Sequence, residues 1–156
     1  MTFHHPVSKL ILLTACLALP PLMTSGCTNA PEKHLEQLNK IIKIYNNAFE
    51  SKSTTGGSKY VTEEKRKDYL IDYAEIQERV SFNESQILDF QYLKDGETVP
   101  LDVKDPEKEF NEARILMRYK ILTKPSVTLK TIIIEQHWTY DGVMWLLDPD
   151  LKPFLQ

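Results

Sequence analysis

The spacing of apolar residues predicts two helices after residue 30. From Pro31 to about Ser51, apolar residues recur at intervals of three and four, as on the buried face of an amphipathic helix. Pro31 suits the first turn of a helix, where its missing N–H needs no partner. A second helical pattern runs from Thr62 to about Val80, and the segment between the helices, SKSTTGGSK, is typical of a flexible turn. The predicted buried residues are Leu35, Leu38, Ile41, Ile42, Tyr45, Ala48 and Phe49 in the first helix and Tyr69, Leu70, Tyr73 and Ile76 in the second.

The second half of the chain has the alternation that is typical of antiparallel strands. Leu88, Phe90 and Tyr92 alternate with polar residues and end at the turn signal Asp95-Gly96. Residues 97–109 are acidic, contain two prolines and form at most a short edge strand. The clearest strand follows, since its apolar residues alternate with charged ones. Its predicted core residues are Ala113, Ile115, Met117, Tyr119 and Ile121, opposite Glu112, Arg114, Arg118 and Lys120.

A long strand from about Ser126 to Tyr140 ends at Asp141-Gly142, which predicts a two-residue hairpin loop. This loop would pair Tyr140 with Val143, and it would also pair Trp138 with Trp145 and Gln136 with Leu147. The pairing predicts an apolar face that should meet the helices, interrupted only by Gln136. That face comprises Ile132, Ile134, Trp138, Tyr140, Val143, Trp145 and Leu147, and the opposite face comprises Ile133, Glu135, His137, Thr139, Met144, Leu146 and Asp148.

Helices followed by a meander of strands that ends in a Trp-bearing hairpin resemble the nuclear transport factor two-like, cone-shaped α+β fold, an architecture also called cystatin-like. The resemblance covers about residues 31–148 and is strongest in KTIIIEQHWTYDGVMWLLD. It implies N-terminal helices packed on a curved, mostly antiparallel sheet, often around an apolar cavity. The superfamily includes ketosteroid isomerase, scytalone dehydratase and many binding modules, so the fold alone leaves the function open.

The first 26 residues have the three parts of a secretion signal: a short start charged at Lys9, the apolar run LILLTACLALPPLM, and TSG before Cys27. The run is too short for a membrane-spanning helix, which needs about 20 apolar residues, and Pro20-Pro21 would interrupt it. Cys16 follows LTA, a better local match to the bacterial lipobox than TSG. Cleavage there would leave only residues 10–15 as apolar core, below the roughly 7 to 15 residues that a signal needs. Cleavage directly before Cys27 is therefore preferred over cleavage before Cys16.

This arrangement resembles a bacterial lipoprotein signal, in which the cysteine thiol receives a diacylglycerol and the cysteine becomes the first residue. It implies a signal peptide over residues 1–26, a lipidated Cys27 with a tether over 27–30, and a single α+β domain over 31–156. Acyl chains would hold the domain on the lipid bilayer, since each buried CH₂ contributes about 0.8 kcal/mol. Thr28 is not the Asp that retains enteric-type lipoproteins in the inner membrane, so the expected location is the outer membrane of a bacterial envelope, facing the periplasm. A plain secretory signal with an incidental cysteine is the alternative.

The charge of the domain argues against nucleic acid as a partner. Loss of Lys9 with the signal leaves 18 basic residues against 22 acidic ones, a net charge of −4. The sequence lacks a basic stripe and an alternation of aromatic and basic residues, which are the usual footprints of nucleic-acid binding. The chain has two cysteines, and neither follows residue 27, so the domain is expected to be stable without a disulfide.

Two residues are candidates for proton transfer, the chemistry that cone-fold enzymes perform in their cavity. Asp72 lies beside Tyr69, Tyr73 and Ile76 on the second helix and is the best candidate for an interior carboxylate. His137 lies opposite the apolar face, and a one-residue bulge would be needed to turn it inward. A boundary carboxylate and a surface histidine are the alternative interpretations. The sequence has no nucleophile elbow, phosphate loop or metal-ligand spacing, so neither a metal nor a cofactor is expected.

Large side chains of the predicted inner face are candidates for contacts to a ligand in an apolar cavity. These candidates are Tyr45, Tyr73, Tyr119, Gln136, Trp138 and Trp145. Such aromatic residues more often belong to the core, with their polar atoms satisfied at its edge, and this alternative stays open.

These features favour a membrane-anchored envelope module that binds a small apolar ligand or an envelope protein and catalyses no reaction. A cone-fold lyase or isomerase that uses Asp72 or His137 is a second hypothesis, and a structural module that forms homodimers through its sheet is a third. An open apolar cavity would favour the ligand-binding hypothesis. A carboxylate that points into the cavity would favour the lyase or isomerase hypothesis. A filled cavity with an exposed apolar sheet face would favour the dimer.

Replacement of Cys27 tests the lipid anchor directly. Cys27→Ser is expected to abolish metabolic labelling with palmitate, because the thiol that carries the lipid is removed. A label that survives this substitution would move the lipid to Cys16 or contradict lipidation.

Overall fold

The computed structural model describes residues 34–100, 110–125 and 127–156. The chain divides into two compact units, 1–30 and 31–156, and every described residue belongs to the second. The predicted leader, Cys27, the tether and the helix start at Pro31 lie outside the described residues, as do residues 101–109. The elements are helices α1 (His34–Glu50) and α2 (Glu63–Arg79), strands β1 (Val80–Lys94), β2 (Glu97–Thr98), β3 (Glu112–Thr123), β4 (Thr128–Tyr140) and β5 (Trp145–Asp148), and 3-10 turns at Ser58–Tyr60 and Lys152–Phe154.

The strands form one sheet in the order β2-β1-β3-β4-β5, and every pair of neighbouring strands is antiparallel. Both helices pack on one face of this sheet, so the fold is α+β, as predicted. The predicted short edge strand is β2, which has two residues. Strand β3 is central, and the five residues predicted to face the core are all buried.

The core forms where the apolar faces of the helices meet the inner face of the sheet. Tyr69, Tyr73 and Ile76 of α2 are buried, as predicted. Leu70 is exposed, contrary to the prediction, because one residue advances the chain by about 100° around a helix and turns Leu70 away from Tyr69. Helix α1 buries Leu38, Ile41, Ile42, Tyr45, Asn46 and Phe49.

Strand β1 is longer than predicted and begins directly after α2, at Val80. The polar residues of its first half hide the alternation that would have revealed it. Two bulges interrupt its pairing with β3, and the second leaves Leu88 between the paired residues Ile87 and Asp89. Leu88 is therefore exposed, contrary to the prediction, whereas Phe90 packs against the core.

The loop between β4 and β5 is wider than predicted, so the predicted pairing is wrong by two residues. Tyr140 pairs with Trp145 rather than with Val143. The Asp141 carboxylate accepts hydrogen bonds from the N–H groups of Val143 and Met144, both at 2.8 Å, and this closes the wider loop. Because side chains alternate with a period of two, a shift of two residues keeps the paired residues on their predicted faces. The prediction for Val143 is wrong, since this residue lies in the loop and is 77% exposed. The observed pairs are Tyr140–Trp145, Thr139–Leu146, Trp138–Leu147 and His137–Asp148.

The segment after β5 completes the core, which the sequence pattern did not predict. Leu151 and Phe154 are buried, and the ring centre of Phe154 lies 5.4 Å from that of Phe49. Pro149 directly follows β5, and the chain leaves the sheet at this point. As a result, β5 covers only four residues of β4, His137–Tyr140.

The turn before α2 depends on a glycine, and its replacement tests the packing of α2. Gly56 has a φ of +54°, and a Cβ atom there would overlap the ring of Tyr73. Gly56→Ala is expected to lower the free energy of unfolding by about 2 to 4 kcal/mol, measured by urea denaturation.

Gly96→Ala is the matched control for this substitution. Gly96 also has a positive φ, +86°, but no heavy atom lies within 4 Å of the added Cβ. Gly96→Ala is therefore expected to lower the free energy of unfolding by only about 1 to 2 kcal/mol, the cost of a positive φ for a residue with a Cβ atom. Equal losses in the two variants would contradict close packing of Gly56 against Tyr73.

Candidate functional site

A buried hydrogen-bond network joins α1 to the centre of the sheet. Asn46 Oδ1 accepts hydrogen bonds from Tyr119 Oη at 3.1 Å and from Gln136 Nε2 at 2.7 Å. Trp138 Nε1 donates to Gln136 Oε1 at 3.3 Å. All four side chains are buried, and a buried polar group that lacks a hydrogen bond destabilises the fold. The network therefore holds one helix at a defined position over β3 and β4.

The residues predicted to contact a ligand, Tyr45, Tyr73, Tyr119, Gln136, Trp138 and Trp145, all lie in the core. They contact core neighbours and line neither of the clefts described below. Tyr73 Oη, for example, donates to the carbonyl of Ser53 at 3.0 Å. Trp145 stacks on Phe110 with ring centres 5.5 Å apart, and its Nε1 has no hydrogen-bond partner among the described residues. A role for the six residues in binding stays a prediction.

The two proton-transfer candidates line the same depression, here called the α2–β4 groove. It has a volume of about 600 Å³ and lies between α2, the edge of β4 and the segment after β5. Asp72 is half-buried at the boundary of the domain rather than in its interior. His137 lies on the outer face of the sheet, where the predicted alternation placed it, with Nε2 3.1 Å from Glu112 Oε2.

The α2–β4 groove differs from the apolar, enclosed sites in which proteins tune a carboxylate or imidazole for proton transfer. Charged side chains from each of its walls line it, among them Lys65, Asp68, Glu135, Asp148 and Asp150. A charged groove of this kind is better suited to electrostatic contacts with a partner than to a reaction that requires the exclusion of water.

A second depression, here called the α1–β1 cleft, lies on the inner face of the sheet and has a volume of about 370 Å³. Ile42 of α1 and Ile87, Phe90 and Met117 of the sheet form the apolar part of its walls. Charged and polar residues line the remainder, among them Lys43 and Glu50 of α1. Ile87 is 46% exposed although it belongs to the inner face, because it pairs with buried Met117 at a position that the helices do not cover.

Asn46 lies at the base of the α1–β1 cleft and is the residue that the sequence analysis missed. It is only 8% exposed, and its Oδ1 atom takes both hydrogen bonds from the network. These bonds orient the amide. No described residue accepts a hydrogen bond from Nδ2, and this atom is not among the fully buried polar atoms, so it remains accessible. The sequence signal was a polar residue four positions after Ile42, on the apolar face of α1.

Burial raises the pKa of Tyr45, Tyr69, Tyr73 and Tyr119 above the ordinary value of 10.0. For Tyr45 and Tyr69, the charge that a neighbouring tyrosine would carry adds to this effect. The folded protein therefore holds these hydroxyl groups in their neutral form.

Among the described residues, no helix has the length and apolar character needed to cross a membrane. In the same part of the chain, no group of three or more His, Cys, Asp or Glu is placed to hold a metal ion.

No protein-family model matches the chain, and no curated protein is significantly similar to it.

The buried tyrosines predict a loss of stability at alkaline pH. Tyrosines of the unfolded chain ionise near pH 10, whereas the pKa values raised by burial keep the folded protein protonated. Above about pH 10 the unfolded state binds fewer protons than the native state, so the free energy of unfolding should fall as the pH rises. Urea denaturation at neutral pH and at about pH 11 measures this change.

Absorbance of the tyrosinate ion gives an independent control. In urea all seven tyrosines should ionise together, and in the folded protein only a part of them should do so at the same pH. A folded protein in which all seven ionise together would contradict the buried positions.

Proposed function

We propose that the protein is a lipid-anchored module of the bacterial cell envelope whose α1–β1 cleft binds a small, largely apolar ligand. The observation that carries this proposal is Asn46, a largely buried amide that two hydrogen bonds orient and whose Nδ2 remains accessible in a partly apolar cleft. Ligand sites typically combine such walls with a few polar groups that orient the ligand. An oxygen atom of the ligand would accept a hydrogen bond from Nδ2, and this bond would orient the ligand.

The dimensions and chemistry of the cleft define the ligand class. Its volume of about 370 Å³ is near the lower end of the range for small-molecule sites. Ile87, Phe90 and Met117 favour a hydrocarbon chain or ring, and Asn46 Nδ2 favours a carbonyl, carboxylate or hydroxyl oxygen at its buried end. A small acyl or ring compound with one oxygen-bearing end satisfies both requirements.

The proposed lipid anchor would hold the cleft close to a lipid bilayer, in which apolar ligands accumulate. Cys27 precedes His34, the first residue of α1, by seven positions, a distance of about 25 Å at full extension. Apolar molecules partition into a bilayer, so a domain on a short tether meets them at high local concentration. Because Thr28 is not an Asp, the proposed location is the outer membrane, facing the periplasm.

The observations favour binding over the two other hypotheses. A lyase or isomerase would use Asp72 or His137, and both line the charged α2–β4 groove. A dimer through the outer face of the sheet would have to cover Glu84, which lies 2.7 Å from Lys120 Nζ and 3.5 Å from Arg118 Nη2. Burial of such ion pairs carries a desolvation cost.

Native mass spectrometry of residues 28–156 tests the proposed ligand, since residues 31–156 form a compact unit by themselves. The gently purified protein should show a reproducible added mass that is lost on denaturation. Ile87→Lys should remove this mass, because the substitution places a charge in the cleft. Leu88→Lys is the matched control, since Leu88 is similarly exposed and does not line the cleft.

A bare monomer would contradict an occupied cleft, and a bare dimer would favour the structural hypothesis. An added mass that survives in Ile87→Lys would place the ligand elsewhere.

A further inference from the structure

On the side of β4 that faces β5, backbone N–H and C=O groups point away from β3. Tyr140 N–H donates to the carbonyl of Asn111, on the side of β3, at 2.9 Å. In an antiparallel strand successive residues direct their N–H and C=O groups to opposite sides. The odd-numbered residues of β4 therefore direct theirs to the side of β5.

Much of that edge has no neighbouring strand. Because β5 pairs with β4 only at His137–Tyr140, the N–H and C=O groups of Ile133 and Glu135 have no partner among the described residues. At this edge Ile133 is 54% exposed and adds an apolar side chain, and Glu135 adds a negative charge. Unpaired groups of this kind are a template for another extended chain.

The α2–β4 groove lies along the same edge and is open where a continued β5 would run. Ile133 and Glu135 line it from β4, Asp148 lines it from the end of β5, and Asp150 lines it from the segment after Pro149. Its volume of about 600 Å³ accommodates several residues of an extended chain.

Carboxylates predominate in this groove. Asp68, Asp72, Glu135, Asp148 and Asp150 line it, against Lys65, Lys152 and His137. Glu135 lies 3.9 Å from Arg114, but no described residue forms an ion pair with Asp68 or Asp72. These two carboxylates lie one helical turn apart on α2, so they face the groove together.

We propose that the open edge of β4 receives an extended, lysine- or arginine-rich segment of another protein as an added strand. Backbone hydrogen bonds to Ile133 and Glu135 would supply affinity, and basic side chains at alternate positions would meet Asp68 and Asp72. A second copy of this chain fits less well, because symmetric pairing of two β4 edges brings two acidic grooves together. This inference is independent of the proposed ligand, since the α1–β1 cleft lies between other elements.

The test uses the full chain in detergent and three short, capped, fluorescent peptides. The first alternates Thr and Lys, the second alternates Thr and Glu, and the third is the Thr-Lys peptide with alternate backbone nitrogens methylated. Fluorescence anisotropy at low ionic strength should show that the first binds at least about tenfold more tightly than either of the others. Equal binding of the methylated peptide would overturn strand addition, since charge alone would then explain the affinity.

Matched variants locate the site. Asp68→Asn with Asp72→Asn should weaken binding by roughly threefold to tenfold, as expected for the loss of two exposed ion pairs. Glu36→Gln with Glu78→Gln removes as many charges from exposed positions outside the groove and should leave binding unchanged. Equal effects of the two double variants would overturn the assignment to the groove.

Hydrogen exchange of the unmodified chain tests the backbone contacts without any substitution. The amides of Ile133 and Glu135 should exchange rapidly in the free protein and slowly with the Thr-Lys peptide, while those of Ile134 and Gln136 should exchange slowly in both. Rapid exchange at Ile133 and Glu135 with peptide bound would overturn the proposal. Slow exchange in a peptide-free dimer would do so as well, because a second copy would then occupy the edge.

Discussion

The hydrogen bonds that Asn46 accepts fix the position of α1 over the sheet. Tyr119 and Gln136 come from adjacent strands and both donate to one oxygen atom, so α1 has one rotation that satisfies the buried groups. The same rotation places the ring of Tyr45 edge-on to Trp138, with ring centres 5.5 Å apart. It also leaves the gap over Ile87 that forms the α1–β1 cleft. The packing of α1 in the core and the shape of the α1–β1 cleft thus depend on the two hydrogen bonds to Asn46 Oδ1.

Sequence periodicity predicted the faces of the elements better than their ends or their pairing. The inner face of β3 was predicted completely, because burial on one side of a strand imposes an alternation that one sequence displays. The register of the final hairpin was wrong, since it depends on the side chain of Asp141 bonding to two later N–H groups. Leu88 departs from the predicted alternation because a bulge adds a residue without changing the composition of the strand.

The candidate sites were predicted only in part, for a different physical reason. The sequence singled out Asp72 and His137 separately, and the structure brings them to one groove through the packing of α2 beside the edge of β4. Asn46 was not singled out, because its importance comes from two donors that are far away in the chain. Periodicity shows which side of an element is buried, but it does not show which polar atoms meet there.

The position of Leu151 and Phe154 has a consequence for folding during synthesis. The ribosome makes these two residues after all other elements of the described core, yet Phe154 packs against Phe49 of α1 and Phe82 of β1. The core therefore closes only after the segment beyond β5 has been made. The elements from α1 to β5 therefore cannot bury their shared core completely while the segment beyond β5 is still inside the ribosome.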